Sequence, residues 1–185
     1  MKVTQVNNDI LKEPTNIVCH QVNCMGVMGA GLALQIKKQY PFVYNEYKNL
    51  CELYKNTRLS SLLLGKAQVV DLVHNISMYN TMTEFYYDNS FSICNLFGQF
   101  GFGTDKVQTD YNSLSDSIMN LCFLISDFSQ SKQLKVVTIS VPYGMGCGLA
   151  GGDWKKVEPL IINTFKKAEE KYSLDINLKI VKKEY

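Results

Sequence analysis

The chain has 185 residues, of which 46% are hydrophobic and 19% are charged, and its formal net charge is +2. This composition indicates a globular protein and excludes a disordered one, and so small a net charge gives no reason to expect a nucleic-acid or membrane surface. The length fits one folding unit, so residues 1–185 are predicted to form a single domain.

The first half of the chain alternates predicted strands with predicted helices. Residues 2–6 alternate polar and apolar side chains, whereas residues 16–22 form a more continuous apolar run, which predicts a half-exposed strand followed by a buried one. After a glycine-rich segment, residues 32–40 have an apolar pattern compatible with a helix that ends before Pro41. Residues 42–54 repeat apolar side chains at intervals of about four, which predicts a second helix.

The second half contains most of the predicted sheet. Residues 66–73 and 76–80 are predicted to form a strand pair, and residues 91–97 a buried strand. Residues 110–128 form an amphipathic helix, for which Asp110 is a suitable N-cap. The remaining elements are a buried strand over 135–141, a helix over 153–172 and a final strand, predicted at a sheet edge, over 175–182.

Three glycine-rich loops, at residues 26–31, 98–103 and 144–152, each follow a predicted buried strand. Alternating strands and helices predict a mixed or mostly parallel sheet with helices on both faces, in which ligands bind beyond the carboxyl ends of the strands. Arg58 is the single arginine, so phosphate binding here would depend on backbone N–H groups rather than guanidinium groups. The loops therefore predict a site for a ligand with several phosphate or hydroxyl groups.

Other kinds of site are not expected. The six cysteines form no CxxC pair and have no histidine at zinc-ligand spacing, and no cluster of carboxylates predicts another metal. We therefore expect reduced thiols, no metal and no cofactor. No signal peptide or membrane-spanning run is recognisable, so a cytoplasmic location without a membrane partner is expected.

The glycine-rich loops resemble the ligand loops of macrodomains. Residues Asn23 to Ala33 resemble the first loop, Gly144 to Leu149 resemble the second, diphosphate-binding loop, and Asn8-Asp9-Ile10 occupies the position of an acidic residue near the adenine. The branch that is most similar contains terminal ADP-ribose glycohydrolases and ADP-ribose-1″-phosphate phosphatases, with features of a bacterial or phage subgroup. The resemblance implies a three-layer α/β/α fold with a mixed, mostly parallel central sheet.

The resemblance also implies ligand-binding residues. Asp9 would accept a hydrogen bond from the adenine amino group, and Asn23 would orient the distal ribose. The alternative interpretations are a turn or N-cap for Asp9 and a loop residue bonded to its own backbone for Asn23. The remaining ligand contacts would be Ile10, Gly29, Ala30, Gly31, Leu32, Gln99, Met145, Gly146, Cys147, Gly148 and Leu149.

Catalytic assignments differ between the two activities of this branch. The glycohydrolases have a lysine where this chain has Gln99 and an aspartate where it has Ala150, so a lysine-dependent mechanism is not expected. The phosphatases use a histidine on the second strand and an aspartate after the second loop, which His20 and Asp153 match and which would act as acid and base. A buried structural histidine and a helix N-cap are the alternatives.

Three functions follow from these residues. The leading one is removal of phosphate from ADP-ribose-1″-phosphate, and a non-catalytic module that binds ADP-ribose or an NAD-derived signal is the first alternative. The second alternative is a glycohydrolase that releases ADP-ribose from protein or nucleic acid by a mechanism that does not depend on lysine. The partner is ADP-ribose or a derivative in each case, the protein is expected to be a monomer, and nucleic-acid binding without ADP-ribose is the poorest fit.

Overall fold

Seven strands and four α-helices make up the computed structural model, which describes residues 1–73, 75–79, 91–132 and 136–183, and side chains within these ranges except 127–132. The strands are β1 (Lys2–Asn7), β2 (Ile17–Asn23), β3 (Ala67–Asp71), β4 (Ile76–Met78), β5 (Ser92–Gln99), β6 (Val137–Pro142) and β7 (Ile176–Lys182). The helices are α1 (Gly31–Gln39), α2 (Pro41–Asn56), α3 (Tyr111–Lys132) and α4 (Trp154–Tyr172), with a short 3-10 helix at Ser60–Leu63 that the sequence pattern did not predict.

All seven strands belong to one sheet, in the order β1-β7-β6-β2-β5-β3-β4. The first five in this order are parallel, while β3 is antiparallel to both β5 and β4. The prediction of a mixed, mostly parallel sheet is therefore confirmed. Parallel neighbours place their carboxyl ends at one side of the sheet, which brings together the loops after β2, β5 and β6.

The prediction that the last strand lies at a sheet edge is wrong. β7 pairs with β1 on one side and with β6 on the other, so β1 and β4 form the edges in the described chain. Ile176, Leu178 and Ile180 are buried, and the residues between them are only partly covered. Alternating polar and apolar residues show that one face of the sheet is covered more than the other. They do not show whether the strand pairs with a neighbour on each side.

Helices cover both faces of the sheet, as the three-layer prediction required. One face packs against α3 and α4, where Ile118, Leu121 and Phe165 are fully buried. The other face packs against α1 and α2 through two smaller apolar clusters, one of which contains Tyr47 and Phe97 in ring contact. Each such side chain contributes roughly 1.5–3 kcal/mol through burial. In the described ranges, no helix is both long and apolar enough to cross a membrane.

Local signals in the sequence set the helix boundaries. Pro41 occupies the first turn of α2, and α1 ends at Gln39, where the backbone N–H of Tyr40 donates to the carbonyl of Ile36 at 2.7 Å. The carboxylate of Asp110 accepts a hydrogen bond from the backbone N–H of Ser113 at 2.9 Å, so the predicted cap of α3 is confirmed.

Candidate ligand cleft

A continuous cleft runs across the carboxyl ends of the parallel strands. We call its walls loop A (residues 24–30, after β2), loop B (100–110, after β5) and loop C (143–153, after β6). A middle cavity of about 450 Å³ shares lining residues with a distal cavity of about 280 Å³ and with a proximal cavity of about 100 Å³. The residues shared with the distal cavity are Gln21, Ala30, Ala33, Gln99, Leu149 and Ala150, and those shared with the proximal cavity are Leu32, Gln35, Pro142 and Tyr143.

The proximal cavity contains Asp9, Ile10 and an aromatic wall. One carboxylate oxygen of Asp9 accepts a hydrogen bond from the N–H of Leu11 at 3.1 Å, which is the turn geometry of the alternative interpretation, and the other lies 3.9 Å from the ammonium of Lys183. The ring of Tyr143 packs on Trp154 with centroids 4.9 Å apart. The carboxylate and this ring line one small space, a combination suited to a planar base with an amino group.

A partly buried ion pair holds the turn that presents Asp9. Glu13 accepts hydrogen bonds from the ammonium of Lys179 at 2.6 Å and from the side-chain amide of Asn8 at 2.8 Å. The amide oxygen of Asn8 in turn accepts from the backbone N–H of Asp9 at 2.8 Å. These bonds lower the pKa of Glu13, with the lysine contact as the largest cause. The carboxylate therefore stays ionised and fixes the backbone on which Asp9 lies.

The middle cavity has backbone N–H groups on two sides. On one side α1 begins at Gly31, and no described side chain caps it, so the N–H groups of Gly31, Leu32 and Ala33, which line the cavity, have no intrahelical acceptor. On the other side, among the described residues, no acceptor is bonded to the N–H groups of Gly146, Gly148, Leu149 or Ala150. Two sets of unbonded donors, one of them at a helix N-terminus, thus belong to residues that line one cavity, an arrangement that suits an anion and requires no arginine.

Loop C is closed on itself through Gly146. Its carbonyl accepts hydrogen bonds from the N–H of Gly152 at 2.9 Å and from the hydroxyl of Thr109 at 2.6 Å. Gly146 has φ of +72°, and a Cβ atom there would lie 2.5 Å from the amide oxygen of Gln21. Both the backbone conformation and the lack of space therefore require glycine at this position.

A network of neutral side chains forms the floor of the distal cavity. The side-chain N–H₂ of Gln21 donates to Gln99 at 2.8 Å and to the hydroxyl of Thr109 at 3.0 Å, and the N–H₂ of Gln99 donates to the carbonyl of Gly101 at 2.7 Å. None of the described residues that line this cavity is ionisable. The position that would hold a lysine in the glycohydrolases is thus occupied by an amide whose groups are already bonded.

Asn23 lies between the cleft and the core. It is 5% exposed and lines the distal cavity, but its amide is bonded within the protein. The amide oxygen accepts from the N–H groups of Met25 and Val27 and from the hydroxyl of Tyr47, and its N–H₂ donates to the carbonyl of Val27 at 2.7 Å. Asn23 therefore shapes loop A, which is the role given by its alternative interpretation.

His20 lines the middle cavity at its floor but is only 2% exposed. Its Nε2 lies 2.6 Å from the amide oxygen of Asn95, whose N–H₂ donates to Gln68, which donates to the hydroxyl of Ser77. Because Asn95 presents its oxygen, Nε2 must be the protonated nitrogen. Burial lowers the pKa of His20 to about 4, and the bond to Asn95 opposes this only in part, so the imidazole is neutral at physiological pH.

Two of the predicted site residues do not line the cleft. Asp153 is exposed and caps α4, since its carboxylate accepts from the N–H of Lys155 at 3.0 Å. The thiol of Cys147 is directed to the carbonyl of Met145 at 3.3 Å, its N–H is bonded to Gly144 within loop C, and burial raises its pKa to about 11. The structure therefore does not bring Asp153 beside His20. The other predicted site residues all line the cleft.

Several residues that line the cleft were not predicted from the sequence. Gln21 lies in β2, whose sequence predicts a buried strand. The signal that Gln21 faces a site was its polar side chain, directly after the polar His20. Phe102 and Thr104 line the distal cavity from loop B, and Gln35 lines the middle and proximal cavities from α1. No local pattern distinguishes these from ordinary surface residues.

The fold and the cleft together define an α/β/α domain with a ligand site at the carboxyl ends of its sheet. No protein-family model matches the sequence. The DNA ADP-ribosyl glycohydrolase of Mycobacterium tuberculosis is 28% identical over 164 residues, which cover 89% of this chain, and the chain spans only 39% of that relative. An ADP-ribose 1″-phosphate phosphatase of Saccharomyces cerevisiae is 34% identical over 64 residues, covering 34% of this chain and 36% of the relative.

Solved structures identify the fold more specifically. The macrodomain of Mycobacterium tuberculosis DarG matches with a TM-score of 0.65 and 23% identity over 96% of this chain and 97% of that chain. Thermosipho africanus DarTG in complex with ADP-ribose matches with a TM-score of 0.63 and 22% identity over 98% of this chain and 41% of that chain. The chain has the macrodomain fold, and the resemblance inferred from its loops is confirmed.

Proposed function

We propose that the chain binds ADP-ribose along the cleft. The observation that carries this proposal is the middle cavity, which is lined on two walls by residues whose backbone N–H groups have no acceptor among the described residues. A diphosphate between these walls would receive several hydrogen bonds and the favourable end of the α1 dipole. A neighbour of the same fold is described in complex with ADP-ribose, which supports the same class of ligand here.

The two ends of the cleft suit the two ends of this ligand. The adenine would lie against Tyr143 with its amino group toward Asp9, and the diphosphate would lie between α1 and loop C. The distal ribose would then reach the amide groups of Gln99 and Gln21, which border both the middle and the distal cavities. Because the three cavities share lining residues, they form one cleft that is long enough for the whole ligand.

We further propose that the protein captures its ligand without rapid hydrolysis of it. A neutral amide network occupies the distal floor, and His20 is a poor proton donor at neutral pH because its pKa is about 4. Asp153 serves as a helix cap away from the cleft lining. Phosphatase activity, the leading expectation from the sequence, is therefore the weaker candidate.

A glycohydrolase that acts on ADP-ribosylated DNA is the second candidate. One observation favours it over the phosphatase: the match to the DNA ADP-ribosyl glycohydrolase covers 89% of the chain, whereas the match to the phosphatase covers 34%. Its mechanism would have to differ from attack by a lysine, because Gln99 and Ala150 stand at the two positions where that mechanism needs charged groups.

Calorimetric titration with ADP-ribose tests the proposal. We expect a Kd in the micromolar range or below, about −8 kcal/mol or more favourable, and a loss of at least about tenfold in Asp9→Ala. Asp175→Ala is the matched control, because Asp175 is exposed at the start of β7. Release of phosphate from ADP-ribose-1″-phosphate, or of ADP-ribose from modified DNA, at several turnovers per minute would contradict capture without hydrolysis.

A further inference from the structure

Two lysines in succession lie at the end of β7, beside the proximal end of the cleft. β7 is parallel to both β1 and β6, so its carboxyl end lies at the same side of the sheet as the cleft. On one side the N–H of Asn8 donates to the carbonyl of Lys182 at 3.0 Å. On the other side the N–H of Tyr143 donates to the carbonyl of Val181 at 2.8 Å. The backbone that leads to Lys182 and Lys183 is therefore fixed between the turn after β1 and loop C.

The two lysine side chains extend toward different walls of the cleft. The ammonium of Lys183, which lines the proximal cavity, lies 3.4 Å from the amide oxygen of Gln35 on α1 and 3.9 Å from the carboxylate of Asp9. The ammonium of Lys182 lies 5.2 Å from the centroid of the Tyr143 ring in loop C. Two positive charges are thus placed next to residues that line this end of the cleft, against the single carboxylate of Asp9.

Lys183 makes no short hydrogen bond to the described residues. An ammonium group has three N–H donors, and such bonds normally span about 2.7–3.2 Å, whereas both contacts of Lys183 are longer. Its side chain is 49% exposed, so its pairing with Asp9 contributes little to stability. Lys179 differs, because Glu13 accepts from it at 2.6 Å. Lys183 can therefore turn to an anionic ligand without the loss of a strong bond.

ADP-ribose in this cleft would place its adenosine ribose next to Lys183. With the adenine in the proximal cavity and the diphosphate in the middle one, the ribose that joins them lies where the two cavities meet. The residues that line both cavities include Gln35 and Tyr143. Gln35 is also the residue whose amide oxygen Lys183 contacts. A substituent on the ribose hydroxyl that faces α1 would therefore meet the ammonium of Lys183.

We propose that the cleft binds a form of ADP-ribose whose adenosine ribose carries a phosphate group, with Lys183 as its counter-ion and Lys182 as a second positive charge. This proposal rests on the proposed binding of ADP-ribose. A cationic side chain beside the ribose is the device by which dinucleotide sites accommodate a 2′-phosphate, and lysine binds phosphate as a point charge. A 2′-phosphate is the form of this ligand that NADP⁺ yields when its nicotinamide bond is hydrolysed.

Competition binding with four ligands tests the subsite: ADP-ribose, 2′-phospho-ADP-ribose, 3′-phospho-ADP-ribose and ADP-ribose-1″-phosphate. At low salt the wild-type protein is expected to bind the 2′- or the 3′-phosphorylated ligand about fivefold more tightly than ADP-ribose, as one exposed ion pair allows. In about 0.5 M sodium chloride this ratio should shrink to within about twofold, because salt screens exposed charges. ADP-ribose-1″-phosphate has its additional charge at the distal cavity, where no described lining residue is ionisable, and should show no such gain.

Lys183→Met tests the residue, and the ratio of the two affinities is compared within each protein. The variant should bind the phosphorylated ligand and ADP-ribose within about twofold of each other. Lys2→Met is the matched control and should keep the full ratio, because Lys2 is an exposed lysine at the amino end of β1, away from the cleft.

The outcomes separate the subsite from the proposed function. Equal affinity of the wild-type protein for ADP-ribose and for both adenosine-phosphorylated ligands would overturn the subsite and leave the proposed function intact. A gain that survives in Lys183→Met, or that ADP-ribose-1″-phosphate shows equally, would also overturn the subsite, because the attraction would then belong to the protein as a whole. Absence of binding of all four ligands would overturn the proposed function itself.

Discussion

The Nε2 atom of His20 lies 2.6 Å from the amide oxygen of Asn95, on a neighbouring parallel strand in direct register. The bond from Asn95 to Gln68 leaves only the oxygen of Asn95 for His20, so Nε2 carries the proton and Nδ1 carries the lone pair. Nδ1 is buried, and no group of the described residues bonds to it. A histidine that is held in one neutral form by its neighbours differs from one that is poised to exchange protons.

This arrangement makes stability depend on pH. The pKa of His20 is about 4 in the folded protein and about 6.5 when unfolded, so the unfolded chain binds the extra proton between these values. The stability contributed by the neutral imidazole is present above pH 6.5 and lost as the pH falls toward 4. We expect the protein to be about 2 kcal/mol less stable at pH 5 than at pH 7.5 through this group.

Urea unfolding of wild type and His20→Gln at both pH values measures the contribution of His20 to the free energy of unfolding. The difference between the two proteins removes the contribution of the carboxylates. Nitrogen-15 NMR of the imidazoles should find His20 neutral with Nε2 protonated from pH 5 to 8. His74→Gln assigns the signals, since the chain has two histidines. A His20 signal that titrates near pH 6.5 would show that the imidazole is free to act as an acid or base.

Gly146→Ala should disable loop C. The substitution places a Cβ 2.5 Å from the amide oxygen of Gln21 and forces alanine into φ of +72°, which costs roughly 1–2 kcal/mol before any clash. We expect a loss of about 2 kcal/mol in unfolding free energy and at least about tenfold weaker binding of ADP-ribose. Gly148→Ala is the stability control, because a Cβ there has no neighbour within 4 Å. Equal melting temperatures for the two variants would refute this account of Gly146.

The sequence was sufficient to predict elements that depend on local patterns. Pro41 separates α1 from α2, Asp110 caps α3, and the order of strands and helices predicted the mixed sheet and the meeting of the three loops. The cap at Asp153 was only the alternative to its predicted catalytic role. These features depend on residues that are close in the chain, or on the general rule for parallel strands.

Features that depend on distant partners could not be predicted in the same way. The position of β7 inside the sheet depends on pairing with β1, which is far away in sequence. The role of Gln21 depends on Gln99 and Thr109, which β5 and loop B bring beside it. Cys147 was expected at the ligand because its neighbours in loop C are, but a tight turn directs its thiol to the carbonyl of Met145.

Glu13 and Lys179 should behave as a coupled pair. Glu13 is buried and its carboxylate also accepts from Asn8, so Glu13→Gln or Lys179→Met should each cost about 2–3 kcal/mol, and the double variant less than the sum. Because the pKa of Glu13 is lowered on folding, the stability that its carboxylate contributes is present above the ordinary pKa near 4.5 and is lost as the pH falls below that value. Urea unfolding of the four proteins at pH 7 and at pH 4 tests this, and strict additivity at pH 7 would contradict it.

Tyr143 should contribute to binding through the adenine of the ligand. Its ring packs on Trp154 on one side and has the ammonium of Lys182 5.2 Å from its centroid, and it lines both the proximal and the middle cavities. A ring supported in this way loses little entropy when a base stacks on it. We expect Tyr143→Ala to weaken ADP-ribose binding about tenfold and Tyr143→Phe to leave it within about twofold, measured by calorimetry.

The comparison with Asp9→Ala separates stacking from hydrogen bonding at the same base. An analogue of ADP-ribose with unsubstituted purine in place of adenine lacks the amino group that Asp9 would accept from. It should therefore bind wild type and Asp9→Ala with similar affinity and still bind Tyr143→Ala about tenfold more weakly than wild type. If Tyr143→Ala binds both ligands as tightly as wild type does, the base does not lie on this ring.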